Sequence, residues 1–208
     1  MAVYDLEEQE KIDALKAWWK ENGKSVLAAV AAFLIAIAAI KGWRWYEREQ
    51  AFEAAQIFQT MLGLSGKENL SKIQETAQRL QQDYAGTAYA ARGALIAAEA
   101  NFRAGDLERA RSDLQWVVNE SGEAGLADLA RMRLAAVLLD QKKHDEALVL
   151  LNTSHDPAFD GLYLELKGDV LVAEGKIAEA REAYAEALKK TEGAYRAIIE
   201  AKRDSLGE

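Results

Sequence analysis

Gly105-Asp106-Leu107-Glu108-Arg109-Ala110 returns, altered, as Lys142-Lys143-His144-Asp145-Glu146-Ala147 and again as Gly175-Lys176-Ile177-Ala178-Glu179-Ala180. The closing alanines are 37 and then 33 residues apart. Each stretch begins with turn residues and opens an apolar pattern of helical period. Twelve residues before each alanine stands another small residue: Ala98, Ala135 and Gly168. Four residues after it stands a large one: Leu114, Leu151 and Tyr184. Small residues at two such points let a pair of helices approach closely, and the large residue fills the space beside them.

Working outward, apolar residues at i, i+3 and i+4 predict helices over 69–84, 87–104, 107–120, 126–141, 145–152, 159–174, 177–191 and 194–204. Leu114, Val117 and Val118 form one such face, and Leu134, Val137 and Leu138 another. Nothing alternates as a strand. Forty of the 208 residues are alanine and only one is proline, which favours helices over a turn-rich β fold. A helix–turn–helix unit with a period near 34 is the tetratricopeptide pattern. The reading is an all-α chain whose residues 67–208 form a tetratricopeptide-like helical solenoid, with 206–208 as a frayed end.

Such a stack has a concave face. Counting along the repeat puts Arg92, Leu95, Glu99 and Phe102 toward it in the first unit. The second unit offers Leu129, Met132, Ala136 and Leu139, and the third Leu162, Glu165, Asp169 and Val172. These positions are candidates for binding a partner's segment. The competing reading is that they pack neighbouring helices together.

Residues 25–40, SVLAAVAAFLIAIAAI, carry no charge. Sixteen helical residues span about 24 Å, and extending to Tyr46 gives about 33 Å, enough for a hydrocarbon core of ~30 Å. Trp18 and Trp19 stand on one shoulder and Trp43, Trp45 and Tyr46 on the other, as in the aromatic belts of a spanning helix. Residues 25–46 therefore read as a transmembrane helix in the lipid bilayer. Residues 1–24 read as a cytoplasmic amphipathic segment and 47–66 as a helical connector that stops at 63–66. Ala36-Ile37-Ala38 has the form of a cleavage site, but the acidic 24-residue stretch before the run argues for an uncleaved anchor. Four lysines before the span face Lys41, Arg44 and Arg48 after it, a slight bias toward a cytoplasmic N-terminus. Ala28, Ala32 and Ala36 recur every fourth residue and are candidates for packing against another membrane helix.

Catalysis is not expected. The chain has no cysteine, which excludes disulfides, thiol nucleophiles and thiolate metal sites. His144 and His155 read as solvated turn residues, and no phosphate loop or hydrolase motif is present. No cofactor or metal is expected. A net charge of −8, all of it carried beyond Arg48 on balance, argues against nucleic acid.

Glu7 to Lys24 with its paired aromatics, Gly42-Trp43-Arg44, Thr87-Ala88-Tyr89-Ala90-Ala91 and Gly105-Asp106-Leu107 resemble the YfgM-type ancillary subunits of the SecYEG translocon over nearly the whole chain. Tyr84-Ala85-Gly86-Thr87 departs from that pattern, with glycine where proline often precedes the threonine. The resemblance implies a single-pass inner-membrane protein of a Gram-negative bacterium with its repeat domain in the periplasm. It implies association with the SecYEG translocon and with a membrane-anchored periplasmic chaperone of the peptidyl-prolyl isomerase type. The implied role is to help secreted chains pass to periplasmic folding factors. The alternative is a membrane-anchored scaffold for another envelope complex, in division or cell-wall assembly.

Overall fold

The computed structural model describes residues 3–64 and 67–207. Its helices are α1 (Val3–Leu62), α2 (Leu70–Asp83), α3 (Ala88–Ala104), α4 (Leu107–Glu120), α5 (Ala124–Asp140), α6 (His144–Leu151), α7 (Asp160–Ala173), α8 (Ile177–Lys190) and α9 (Tyr195–Asp204). Single turns of 3₁₀ helix lie at Lys67–Asn69 and Pro157–Phe159. No strand occurs among the described residues. The predicted helix ends agree to within two residues. Ser65, Gly66 and Glu208, on which part of the predicted connector stop and frayed end fall, lie outside the described residues.

The chain divides into two units, residues 1–49 and 50–208. The first unit is helix throughout its described part. The segment before the apolar run and the run itself are one uninterrupted helix through Asn22-Gly23-Lys24, and Asn22 Nδ2 donates to the Trp18 carbonyl at 3.1 Å. Leu27, Phe33 and Ile35 are 60%, 66% and 70% exposed among the described residues. This is the one helix among the described residues long and apolar enough to cross a membrane. Trp43 and Tyr46 meet in a tilted pair with ring centroids 6.2 Å apart, and Trp43 Nε1 donates to Glu47 Oε1 at 2.7 Å. Ala28, Ala32 and Ala36 are all exposed.

In the second unit, the end of α1 supplies Ala54 and Met61 to a core with Ile73, Ala77 and Leu80 of α2 and Ala90 and Ala97 of α3. The larger core joins α3 to α7. The small pairs read from the sequence are all buried: Ala98 with Ala110, Ala135 with Ala147, and Gly168 with Ala180. So are Leu114, Leu151 and Tyr184.

The three turns that open the repeats share one backbone device. Asp106 N bonds to Asn101 O at 2.9 Å, Lys143 N to Leu138 O at 2.8 Å, and Lys176 N to Leu171 O at 2.9 Å. That bond needs a left-handed residue just before it. Gly105 and Gly175 supply it at φ 83° and 79°, and Lys142 does so at φ 59° despite its side chain. After the first turn, Asp106 accepts from Arg109 N at 3.1 Å and caps α4.

Candidate partner-binding face

The predicted face divides into three different environments, one per repeat. In the first repeat Arg92, half-buried on α3, makes a bidentate pair with Glu123 at the start of α5, with N···O distances of 2.7 and 3.0 Å. The fork raises Arg92 above its ordinary range and holds the Glu123 carboxyl below its own. Leu95 is 7% exposed and belongs to the core, so it is not a contact residue on this surface. Glu99 is exposed and pairs with Arg103 at 2.7 Å.

Phe102 is different. It is 39% exposed at the C-terminal end of α3. Beside it lies an open apolar cavity of about 200 Å³ between α3 and α5, lined by Ala98, Glu99, Phe102, Leu114, Arg133, Ala136 and Val137. The cavity exists because Ala136 is too small to fill the space opposite Phe102. Arg133, on its rim, makes no hydrogen bond or ion pair among the described residues. One apolar side chain fits such a space, with a cation beside it. The sequence pattern missed Arg133, which lies one position outside the counted columns.

In the second repeat Leu129, Met132 and Leu139 are partly buried against the main core, with only their edges at the surface. In the third repeat Leu162 is half-buried. Glu165 and Asp169 do not line an open groove. They hold Lys202 of α9: its Nζ lies 2.6 and 2.8 Å from the Asp169 carboxylate and bonds also to Glu165 Oε1. Tyr184 Oη donates to Asp169 Oδ1 at 2.7 Å. Burial alone would lower Lys202, but the two carboxylates outweigh it and raise it. Burial, then the Asp169 hydrogen bond, push the Tyr184 hydroxyl up. These carboxylates face the next helix in the stack.

His155 also departs from expectation. Its side chain is only 16% exposed, and its ring stacks on Tyr163 at 3.8 Å. Nδ1 donates to the Thr153 carbonyl at 2.8 Å, and Nε2 lies 3.3 Å from Asp160 Oδ1. The turn is folded back on the core, because Asp156 N donates to Asp128 Oδ2 and Tyr163 Oη to Asp128 O. Among the described residues no group of three His, Cys, Asp or Glu side chains is placed to hold a metal ion.

A buried polar seam lies elsewhere. Asn101, 1% exposed, donates to Asp113 Oδ2 at 2.9 Å and accepts from Gln74 at 2.6 Å. Gln81 reaches the other Asp113 oxygen at 3.1 Å. Every member of this network has a partner, so it ties α2, α3 and α4 together.

The family model described as tetratricopeptide repeat-like domain matches residues 16–208. An ancillary SecYEG translocon subunit of Neisseria gonorrhoeae is 34% identical over 207 residues, 97% of this chain and 98% of that protein. The chain belongs to the family of ancillary SecYEG translocon subunits. Proteins of the same name from Haemophilus influenzae (29% identical; 89% of this chain, 90% of that one) and Escherichia coli (26%; 91% and 90%) are similar over most of both chains. No solved structure matches. The family match takes in the apolar helix as well as the repeats, so helix and solenoid are read together as one family architecture.

Proposed function

We propose that this protein is an inner-membrane subunit that associates with the SecYEG translocon and presents its repeat domain in the periplasm. The observation that carries the proposal is similarity over nearly the full length to relatives named ancillary SecYEG translocon subunit. The exposed apolar run with aromatic residues on both shoulders supports anchoring by residues 25–46. The mechanism is binding and tethering. An anchor that keeps the solenoid beside the channel raises its local concentration for emerging chains, and no covalent step is needed.

On this reading the repeat domain helps pass secreted chains to a membrane-anchored periplasmic chaperone of the peptidyl-prolyl isomerase type. The contact surface is the seam between α3 and α5. Phe102 and its cavity take an apolar side chain, and Arg133 pairs with an acidic neighbour. Glu99, Met132 and Leu139 flank it. Leu95, Glu165 and Asp169 serve packing instead.

The test is site-specific photo-crosslinking in cells. A photoreactive residue replaces Phe102 or Arg133, with Glu186 on the exposed side of α8 as the control. The membrane complex is then purified in mild detergent. Translocon subunits should copurify with all three variants, and crosslinks should form from positions 102 and 133 and not from 186. Repeated absence of translocon subunits would point to a scaffold of another envelope complex. Copurification with equal crosslinking from all three positions would reject the seam alone.

A further inference from the structure

The helices of the second unit follow a rule that α9 leaves unfinished. In each repeat the first helix presents a small residue to the second: Ala98, Ala135 and Gly168. All three are buried. One period of 33 residues beyond Gly168 is Ala201 on α9, and it is exposed. A neighbouring column behaves in the same way. Asn101, Leu138 and Leu171 are buried under their second helices, while Asp204, 33 residues beyond Leu171, is exposed. Ala194, Ala197 and Ile198 continue this uncovered face, with Ile198 at 50% exposure. Nothing among the described residues packs on it.

A charge marks the same place. Arg111 directly follows Ala110 on α4 and reaches across to Glu146 of the next second helix, α6, at 3.0 Å. Arg181 directly follows Ala180 on α8 and so holds the position of Arg111. It has no hydrogen bond or ion pair among the described residues. Arg181 instead lines, with Glu182 and Ala185, a groove of about 570 Å³ between α8 and α9, whose other wall is Arg203, Asp204 and Gly207. In the preceding units a second helix lies in the corresponding groove.

We propose that this groove takes an amphipathic helix of a partner protein, docked as the second helix of a unit whose first helix is α9. The chain's own repeats define the chemistry. The docked helix carries an acidic residue for Arg181, then a small residue against Ala201, then a large apolar residue four positions later, as in Glu146-Ala147 with Leu151. A second copy of this chain is the poorer occupant, because the matching small faces of α4, α6 and α8 are already closed, with Ala110, Ala147 and Ala180 at 0% exposure. This proposal stands apart from the α3–α5 seam and from translocon association.

The probe is a fluorescein-labelled peptide copying residues 176–191, which contains Glu179-Ala180 and Tyr184. Its binding to the full-length protein in detergent is followed by anisotropy. Saturable binding is expected. Ala201→Trp should weaken it at least about tenfold, since a bulky ring prevents close approach. Arg181→Glu should weaken it about fivefold, the scale of an exposed ion pair. A peptide with Glu179→Arg should recover the affinity of the Arg181→Glu protein. Ala201 is exposed and Arg181 is half-buried at the groove, with neither in the core, so helicity should be unchanged. Ala201→Cys, in a chain without other cysteines, should form a disulfide with a peptide carrying Ala180→Cys when dissolved oxygen with a copper catalyst is supplied as the oxidant. Absence of saturable binding would overturn the proposal. So would indifference to both substitutions, or spontaneous Ala201→Cys homodimers in place of the peptide adduct.

Discussion

Gly168→Ala isolates the packing rule on which the solenoid rests. In an exposed helix, glycine to alanine stabilises by about 1 kcal/mol. Here the opposite is expected. A Cβ at Gly168 would lie 2.6 Å from Cδ1 and 2.8 Å from Cζ of Tyr184, inside contact with its ring. Tyr184 is 2% exposed, and its hydroxyl is fixed by the Asp169 carboxylate that also holds Lys202. The ring has nowhere to retreat without breaking that bond. Overpacking costs about 1–3 kcal/mol and the lost hydrogen bond about 1 more, so the net loss is about 1–3 kcal/mol after the propensity gain. For a chain of this size that lowers the thermal midpoint by roughly 2–12 °C.

The other repeats supply the control. Ala98 and Ala135 face units whose large residue is Leu114 or Leu151, whereas the glycine is matched with tyrosine. Gly168→Ala should therefore be tolerated in a Tyr184→Leu background, giving a favourable coupling of at least about 1 kcal/mol in a double-mutant cycle. The assay is circular dichroism melting of the full-length protein in detergent. A raised midpoint for Gly168→Ala alone, or additive effects of the two substitutions, would refute the reasoning.

Three further outcomes are expected. Lys142→Gly should stabilise the protein by about 1 kcal/mol, because Lys142 holds the left-handed conformation that glycine holds in the two sister turns; urea unfolding reads it directly. Lys202→Met should destabilise by about 1–2 kcal/mol at neutral pH, a discounted value because the lysine side chain is 35% exposed while that of Glu165 is 8%. Because Lys202 is raised on folding, its contribution is complete below the unfolded lysine range and is lost as pH climbs through the folded value, so the variant should show a flatter alkaline limb. Glu123 is lowered on folding by the Arg92 fork, so its contribution is complete above the unfolded carboxylate range and is lost as pH falls through the lower folded value. Arg92→Gln should accordingly weaken the acid dependence of the melting midpoint.

Much of the architecture was legible in the chain because it depends on residue size at fixed spacing. Ala98, Ala135 and Gly168 with their partners locate each helix pair without reference to anything distant. Gly105 and Gly175 mark turns that need a positive φ, whereas at Lys142 the repeat located the turn but an ordinary side chain hid its positive φ. The candidate surface was less legible. Counting places Phe102, Glu165 and Asp169 on related columns, but whether a column is open depends on what the next helix brings. Ala136 leaves a cavity beside Phe102, while Lys202, more than 30 residues away in sequence, closes over Glu165 and Asp169. His155 is a turn residue, as read, but looked solvated because its partners Tyr163 and Asp160 become neighbours only once the connection folds back.

The central claim is that an anchored solenoid stands on the periplasmic side of the membrane. Gly122→Cys tests it most directly: the position is exposed, a Cβ there meets nothing within 4 Å, and the chain has no other cysteine. A membrane-impermeant maleimide is added to intact spheroplasts, with lysed cells as the comparison. The account predicts full labelling before lysis. Labelling only after lysis would place the repeats in the cytoplasm and contradict it.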